Sequence, residues 1–322
     1  MTKQNYRPPL WLPGGHAQTI GAALWVPRPA VNYRRERWTT PDEDFIDIDF
    51  AQPEPQSDTA PVLVLFHGLE GSSRSHYALS LMRHFADRGW RALVVHFRGC
   101  SGEPNLKARA YHSGDADEGD WILRRMAQRW PAAPLHAVGI SLGGNMLAKW
   151  AGERAEEARL LRAAASIGSP LDLVASGTAL GQGFNRVYTR MFLATLKRKA
   201  LDKAQRFEGL VQADDVAAAR SLFDFDNAFT APVHGFKNAL DYWTRASAKP
   251  VLGGIRIPYL LLNARNDPFV PASSLPTRAE VAREVVLDQP SGGGHIGFAQ
   301  GLWPAHLNYL PQRLERFFRA GG

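Results

Sequence analysis

The chain has 322 residues, 45% hydrophobic and 21% charged, enough for one α/β domain with an inserted cap or for two domains. No apolar run reaches the ~18 residues of a membrane span, and the polar Met1–Arg7 stretch has no apolar run behind it, so neither a transmembrane helix nor a signal peptide is expected. The net charge of +7 comes mainly from dispersed arginine, with no nucleic-acid motif and no basic run longer than Lys197-Arg198-Lys199, which argues against a nucleic-acid partner. The single cysteine, Cys100, cannot form an internal disulfide and fits a reducing cytoplasm.

Residues 1–33 read as an extended, proline-rich arm that wraps the core. Residues 36–50 read as an antiparallel hairpin whose second limb, Ile46-Asp47-Ile48-Asp49-Phe50, alternates with period two. A polar loop follows. Strands and helices then alternate: a strand over 62–66, a helix over 75–86, a strand over 92–97, a helix over 116–129, a strand over 135–140 with a helix over 145–153, and a strand over 162–167. This alternation predicts a mostly parallel sheet with helices on both faces. Residues 169–249 lose the strand signal and read as a helical cap between the sixth and seventh strands. The core is then 1–168 with 250–322. In the cap, Val187, Met191 and Ala194 recur at helical spacing, with Arg186, Arg190, Lys197 and Lys203 on other faces. Such a helix either packs on its own domain or lies at a lipid interface, so peripheral membrane contact is compatible with it. Phe223, Phe225, Phe229, Phe236, Tyr242 and Trp243 cluster late in the cap, as a pocket lining or as core. Strands resume over 257–264 and 284–287.

Chemistry concentrates at strand ends. The 62–66 strand stops at His67-Gly68-Leu69-Glu70-Gly71. The 135–140 strand runs into Gly139-Ile140-Ser141-Leu142-Gly143, a G-x-S-x-G turn between strand and helix. That setting makes Ser141 the candidate nucleophile. The backbone N–H groups of Leu69 and Leu142 are the candidate oxyanion donors. A serine hydroxyl needs a base, and the base needs an orienting carboxylate. His295, in the glycine-rich loop after the last strand, is the candidate base; Asp267, just past the 257–264 strand, is the candidate acid. Asp288 is the alternative acid, and His16 and His234 are further histidines of interest. His112 reads as shaping the loop before the helix near Asp117, and Cys100 as a structural thiol. Gly292 to Gly297 matches G-x-G-x-x-G but lacks a following strand for a dinucleotide-binding unit, so it reads as the loop that presents His295. No P-loop, H-E-x-x-H or metal-spaced Cys/His cluster occurs, and no cofactor or metal is expected.

The segments Trp11-Leu12-Pro13-Gly14-Gly15-His16-Ala17-Gln18-Thr19-Ile20, His67 to Ser73, Phe97 to Glu103, Gly139 to Asn145, Thr230 to Phe236 and Gly294 to Phe298 span nearly the whole chain. Through them the chain resembles the α/β-hydrolase superfamily, and within it the YheT-like branch (α/β-hydrolase family 4) of bacterial esterases. The resemblance implies an α/β-hydrolase fold and a charge-relay triad of Ser141, Asp267 and His295. The expected activity is cleavage of a small-molecule carboxylic ester, short- to medium-chain or lipid-derived, through an acyl-enzyme on Ser141. Thioester, amide or C–C cleavage and acyl transfer are the alternatives. A catalytically silent binding protein is the remote one, since all three triad positions are filled.

Overall fold

Short runs of Val, Leu, Ile and Ala form eight strands: β1 (Tyr33–Thr39), β2 (Phe45–Ala51), β3 (Val62–Phe66), β4 (Arg91–Val95), β5 (Leu135–Ile140), β6 (Ala163–Ile167), β7 (Tyr259–Leu262) and β8 (Val285–Asp288). These come from a computed structural model that describes residues 6–321; the first five residues of the arm lie outside the described residues. The strands make one sheet in the order β1-β2-β4-β3-β5-β6-β7-β8. β2 pairs antiparallel with β1 and β4, and every other pair is parallel. The register sets Phe66 beside Gly139, Ile140 beside Ile167, Ile167 beside Leu262, and Leu262 beside Asp288. The carboxyl ends of these strands therefore finish along one edge, where ligands of open α/β sheets bind.

The helices are α1 (Gly14–Leu24), α2 (His76–Ala86), α3 (Ala116–Arg129), α4 (Leu142–Arg154), α5 (Leu173–Leu180), α6 (Asn185–Arg206), α7 (Ala213–Ala218), α8 (Leu222–Phe225), α9 (Ala231–Val233), α10 (Ala239–Ala246) and α11 (Tyr309–Ala320). Helices α3 and α4 bury Ile122, Leu123, Met126, Met146 and Trp150 against one sheet face. Helices α2 and α11 bury Leu81, Phe85, Leu314 and Phe318 against the other. Between β6 and β7 lie α5 to α10, joined by a π-helical turn at Asp226–Thr230, and no strand.

Three features depart from the sequence reading. The arm is not extended throughout: Gly14 to Leu24 is helical, because tertiary packing outweighs the low helix propensity of its glycines. The alternating limb β2 is buried on both faces, since Asp47 and Asp49 are neutralised by Arg37 and Arg35. The C-terminal helix α11, which closes the second face, was not anticipated. In α6 the Val187, Met191 and Ala194 row faces solvent, while Tyr188, Leu193 and Ala200 on the other side pack inward.

Candidate active site

Strand β5 ends at Ile140 and α4 starts at Leu142, leaving Ser141 alone in the turn at φ 52° and ψ −116°. An L-residue rarely adopts this backbone, and the surroundings hold it there. The Ser141 amide donates to the Ile167 carbonyl at 2.9 Å. Crowding explains the flanking glycines: a β-carbon at Gly139 would stand 2.4 Å from the Gly143 carbonyl oxygen, and one at Gly143 would stand 2.5 Å from that of Phe66. The turn raises the Ser141 hydroxyl above the sheet edge.

The 292–298 loop brings His295 to that hydroxyl. Its Nε2 lies 3.0 Å from Ser141 Oγ, and its Nδ1 lies 2.8 Å from Asp267 Oδ2. A carboxylate only accepts, so the Nδ1 proton faces Asp267 and Nε2 is left to accept from the serine. The Asp267 side chain is fully buried, and its Oδ1 accepts the amides of Phe269 at 2.8 Å and Val270 at 3.3 Å. The Phe269 ring covers the imidazole, with centroids 4.2 Å apart. Asp288 is not at this site: it pairs with Arg313 at 2.7 Å.

Leu142 is the first residue of α4, so its N–H has no partner within the helix. The Leu69 N–H makes no hydrogen bond to a described residue. Its two neighbours are pinned. The Gly68 amide donates to the Tyr77 hydroxyl at 3.0 Å, and the Glu70 amide to the Tyr111 hydroxyl at 3.0 Å. Glu70 itself sits at φ 54°. Its carboxylate accepts from Tyr111 Oη and from Lys199 Nζ of α6, both at 2.8 Å. Burial lowers the Lys199 pKa, but Cys100 and Glu70 together more than offset this and raise it. Cys100 Sγ lies 3.4 Å from the same ammonium, and burial pushes its thiol up to about 11. His67, at the end of β3, accepts the Phe97 amide on Nε2, and burial lowers its pKa to about 3. It is a neutral structural histidine.

Sequence reasoning missed the second layer behind His295, which comes from α1. Thr19 Oγ1 accepts the His295 amide at 2.8 Å and donates to the Gly15 carbonyl at 2.7 Å. Gln18 Oε1 accepts from the Gly293 amide at 2.7 Å and from Asn266 Nδ2 at 3.0 Å. Asn266 Oδ1 in turn accepts the Gly294 amide at 3.0 Å. The polar Gln18-Thr19 pair in an otherwise apolar 17–24 stretch was the available signal.

A cavity of about 740 Å³ opens beside Ser141 and His295 beneath α5 to α10. Leu173, Leu180, Phe192, Phe225, Phe229 and Trp243 contribute its apolar wall. Of the late aromatic cluster, Phe223 is 41% exposed and Phe236 packs on Tyr242 and His112 instead. His16 lies outside, with Nδ1 3.2 Å from Tyr188 Oη. The His234 and His112 rings contact one another at 4.5 Å, and His112 Nδ1 accepts the Gly114 amide, shaping the loop before α3. No cluster of three or more metal-ligating side chains occurs among the described residues.

An open, mostly parallel sheet with a serine in a strained strand–helix turn and a histidine on the last sheet-edge loop defines an α/β hydrolase. Residues 61–302 match the family model of the alpha/beta hydrolase fold, and the chain belongs to that family. It is similar to YheT of Escherichia coli (strain K12), provisionally named an esterase, at 37% identity over 301 residues, covering 93% of this chain and 88% of that one. It is similar to phospholipase ABHD3 of Homo sapiens at 30% identity over 324 residues, covering 98% of this chain and 79% of that one. Among solved structures, an acylaminoacyl peptidase of Pyrococcus horikoshii shares the fold with a TM-score of 0.56 and 17% identity. That match covers 91% of this chain but only 42% of the peptidase.

Proposed function

We propose that the protein hydrolyses carboxylic esters through an acyl-enzyme on Ser141. The observation that carries this is the line of hydroxyl, imidazole and carboxylate, with steps of 3.0 and 2.8 Å. In this reading Ser141 Oγ attacks the ester carbonyl while its proton moves to His295 Nε2. Asp267 holds the ring and stabilises the imidazolium. The tetrahedral oxyanion accepts from the amides of Leu69 and Leu142, which are free and preorganised. His295 then protonates the departing alcohol. Water, deprotonated by the same nitrogen, attacks the acyl-serine and releases the acid.

The apolar cavity wall favours an acyl chain as the substrate's buried part. Residues 169–249 act as a cap over it. The relatives' names, an esterase and a phospholipase, support an ester over a thioester or amide. The lone cysteine supports a reducing, cytoplasmic setting. The test is hydrolysis of p-nitrophenyl esters from acetyl to long-chain acyl by wild type and Ser141→Ala. The expected result is turnover that the variant loses while keeping its circular dichroism spectrum. Equal rates from the two proteins would refute the acyl-serine.

A further inference from the structure

We propose that one face of the molecule, built from exposed parts of residues 7–28, 184–191 and 301–303, docks on the surface of an anionic phospholipid bilayer.

The first observation is charge. The chain has 31 Asp and Glu, yet residues 1–35, 173–201 and 289–314 contain none. The same segments carry Arg7, Arg28, Arg186 and Arg190, all exposed. Arg7, Arg186 and Arg190 form no ion pair with a described residue, whereas most other arginines of the core do. Acidic residues are thus absent from the stretches that carry this face; the nearest in α6 is Asp202, about three turns beyond Met191.

The second is apolar exposure. Leu10 is 99% exposed and Leu302 88%, with Leu24, Trp25 and Trp303 exposed beside them in the same segments. On α6, Phe184, Val187 and Met191 are also exposed. Single exposed apolar residues mean little, but a grouped set rimmed by arginine marks an interaction site. Tryptophan and arginine around protruding leucines are the chemistry of a lipid headgroup boundary.

Contacts join the pieces into one face. Trp11 meets Trp303 edge to face at 5.1 Å, and His16 meets Phe184 at 4.8 Å. A row of rings then runs inward, from Phe184 to Tyr188 at 5.8 Å, to Phe269 at 4.7 Å, and to His295 at 4.2 Å. The face therefore lies a few side chains above the catalytic histidine of the proposed reaction. A second copy fits it poorly, because a two-fold contact would set arginines against arginines with no carboxylate between them. A nucleic acid would meet leucines where it needs polar donors.

The test is co-sedimentation of the full chain with vesicles of phosphatidylcholine alone and of phosphatidylcholine mixed with phosphatidylglycerol. It reads binding without turnover, so its outcome is independent of the ester reading. Binding to the phosphatidylglycerol vesicles, weakened by salt, is expected. Arg186→Gln with Arg190→Gln should lower it roughly tenfold or more. Leu302→Asp should lower it similarly, while Leu106→Asp, at an exposed leucine outside the face, should leave it unchanged; circular dichroism checks each fold. The proposal fails if folded wild type stays in the supernatant with both vesicles, or if the face variants bind as wild type does. A concentration-dependent dimer that Leu302→Asp abolishes would also overturn it, making the face a contact between copies.

Discussion

Thr19 Oγ1 accepts the backbone N–H of His295 at 2.8 Å, across 276 positions of the chain. An N-terminal helix thus fixes the backbone that carries the candidate base. Replacing Thr19 with Val leaves that amide without its acceptor while keeping the side chain's shape. We expect kcat for a soluble ester to fall roughly 10- to 100-fold with KM little changed, as befits a misplaced base. Thr19→Ser should restore most of the loss. A fall in KM-linked binding alone, or no rescue by serine, would contradict a positioning role.

Asp267→Asn is predicted to be more severe. Asparagine keeps an oxygen for the Phe269 amide, but its NH2 opposes the Nδ1 proton of His295 and favours the wrong tautomer. A loss of about 10⁴-fold in kcat with native stability is expected. Asp288→Asn, which only loosens the contact with Arg313, should cost little activity. If Asp288→Asn proves the more damaging of the two, the carboxylate assignment is wrong.

The Lys199–Glu70 pair ties α6 to the residue that follows Leu69. Lys199→Met removes the ammonium from that carboxylate and leaves Tyr111 and Cys100 as its partners among the described residues. Glu70 then holds its left-handed backbone less firmly, and the Leu69 amide loses alignment. A drop in kcat of several fold is expected, with Lys199→Arg near wild type. A double-mutant cycle with Glu70→Gln should show coupling of about 0.5–3 kcal/mol in kcat/KM. Additive effects would mean that the pair is only a surface contact.

Acid should unfold the protein early. Burial lowers His67, His112 and His234 to about 3, and His76 and His136 to about 4, from 6.5. The unfolded chain binds protons on these five first, so their stabilising contribution is full above pH ~6.5 and is lost as pH falls through ~4 for two and ~3 for three of them. Asp226 and Glu118 run the other way. Burial raises Asp226 to about 6 and, with Asp115 nearby, Glu118 to about 7, so the folded state takes these protons first and gains stability over the same fall. Five outweigh two, so the unfolding free energy should fall by roughly three times the ~1.4 kcal/mol per pH unit of a single proton. Urea titrations at pH 7, 6 and 5 measure this; a flat midpoint would contradict it.

Much of this was legible in the chain. Buried parallel strands such as Val62-Leu-Val-Leu-Phe66 are continuous apolar runs, so the sheet could be read without tertiary information. Ser141 and His295 stood out because strained turns and tight loops recruit glycine. The residues favoured Asp267 but left Asp288 as an alternative, since each stands at the end of a strand; what separates them is tertiary, with Asp267 against His295 and Asp288 against Arg313. Helix α1 was hidden because Gly14, Gly15 and Gly21 disfavour a helix locally. Their value is tertiary, since a β-carbon at Gly15 would collide with the backbone of Asn266, beside the candidate acid.

The Thr19–His295 contact also bears on biosynthesis. Ser141 and Asp267 leave the ribosome before the 292–298 loop does, while α1 waits from the outset for a partner made near the end. The three-residue line is therefore complete only after Phe298 is made, and in the proposed reaction a nascent or C-terminally clipped chain would carry a serine with no base to activate it. Under the proposed reaction, an unfinished copy would be silent by construction, and synthesis would release no partly built enzyme.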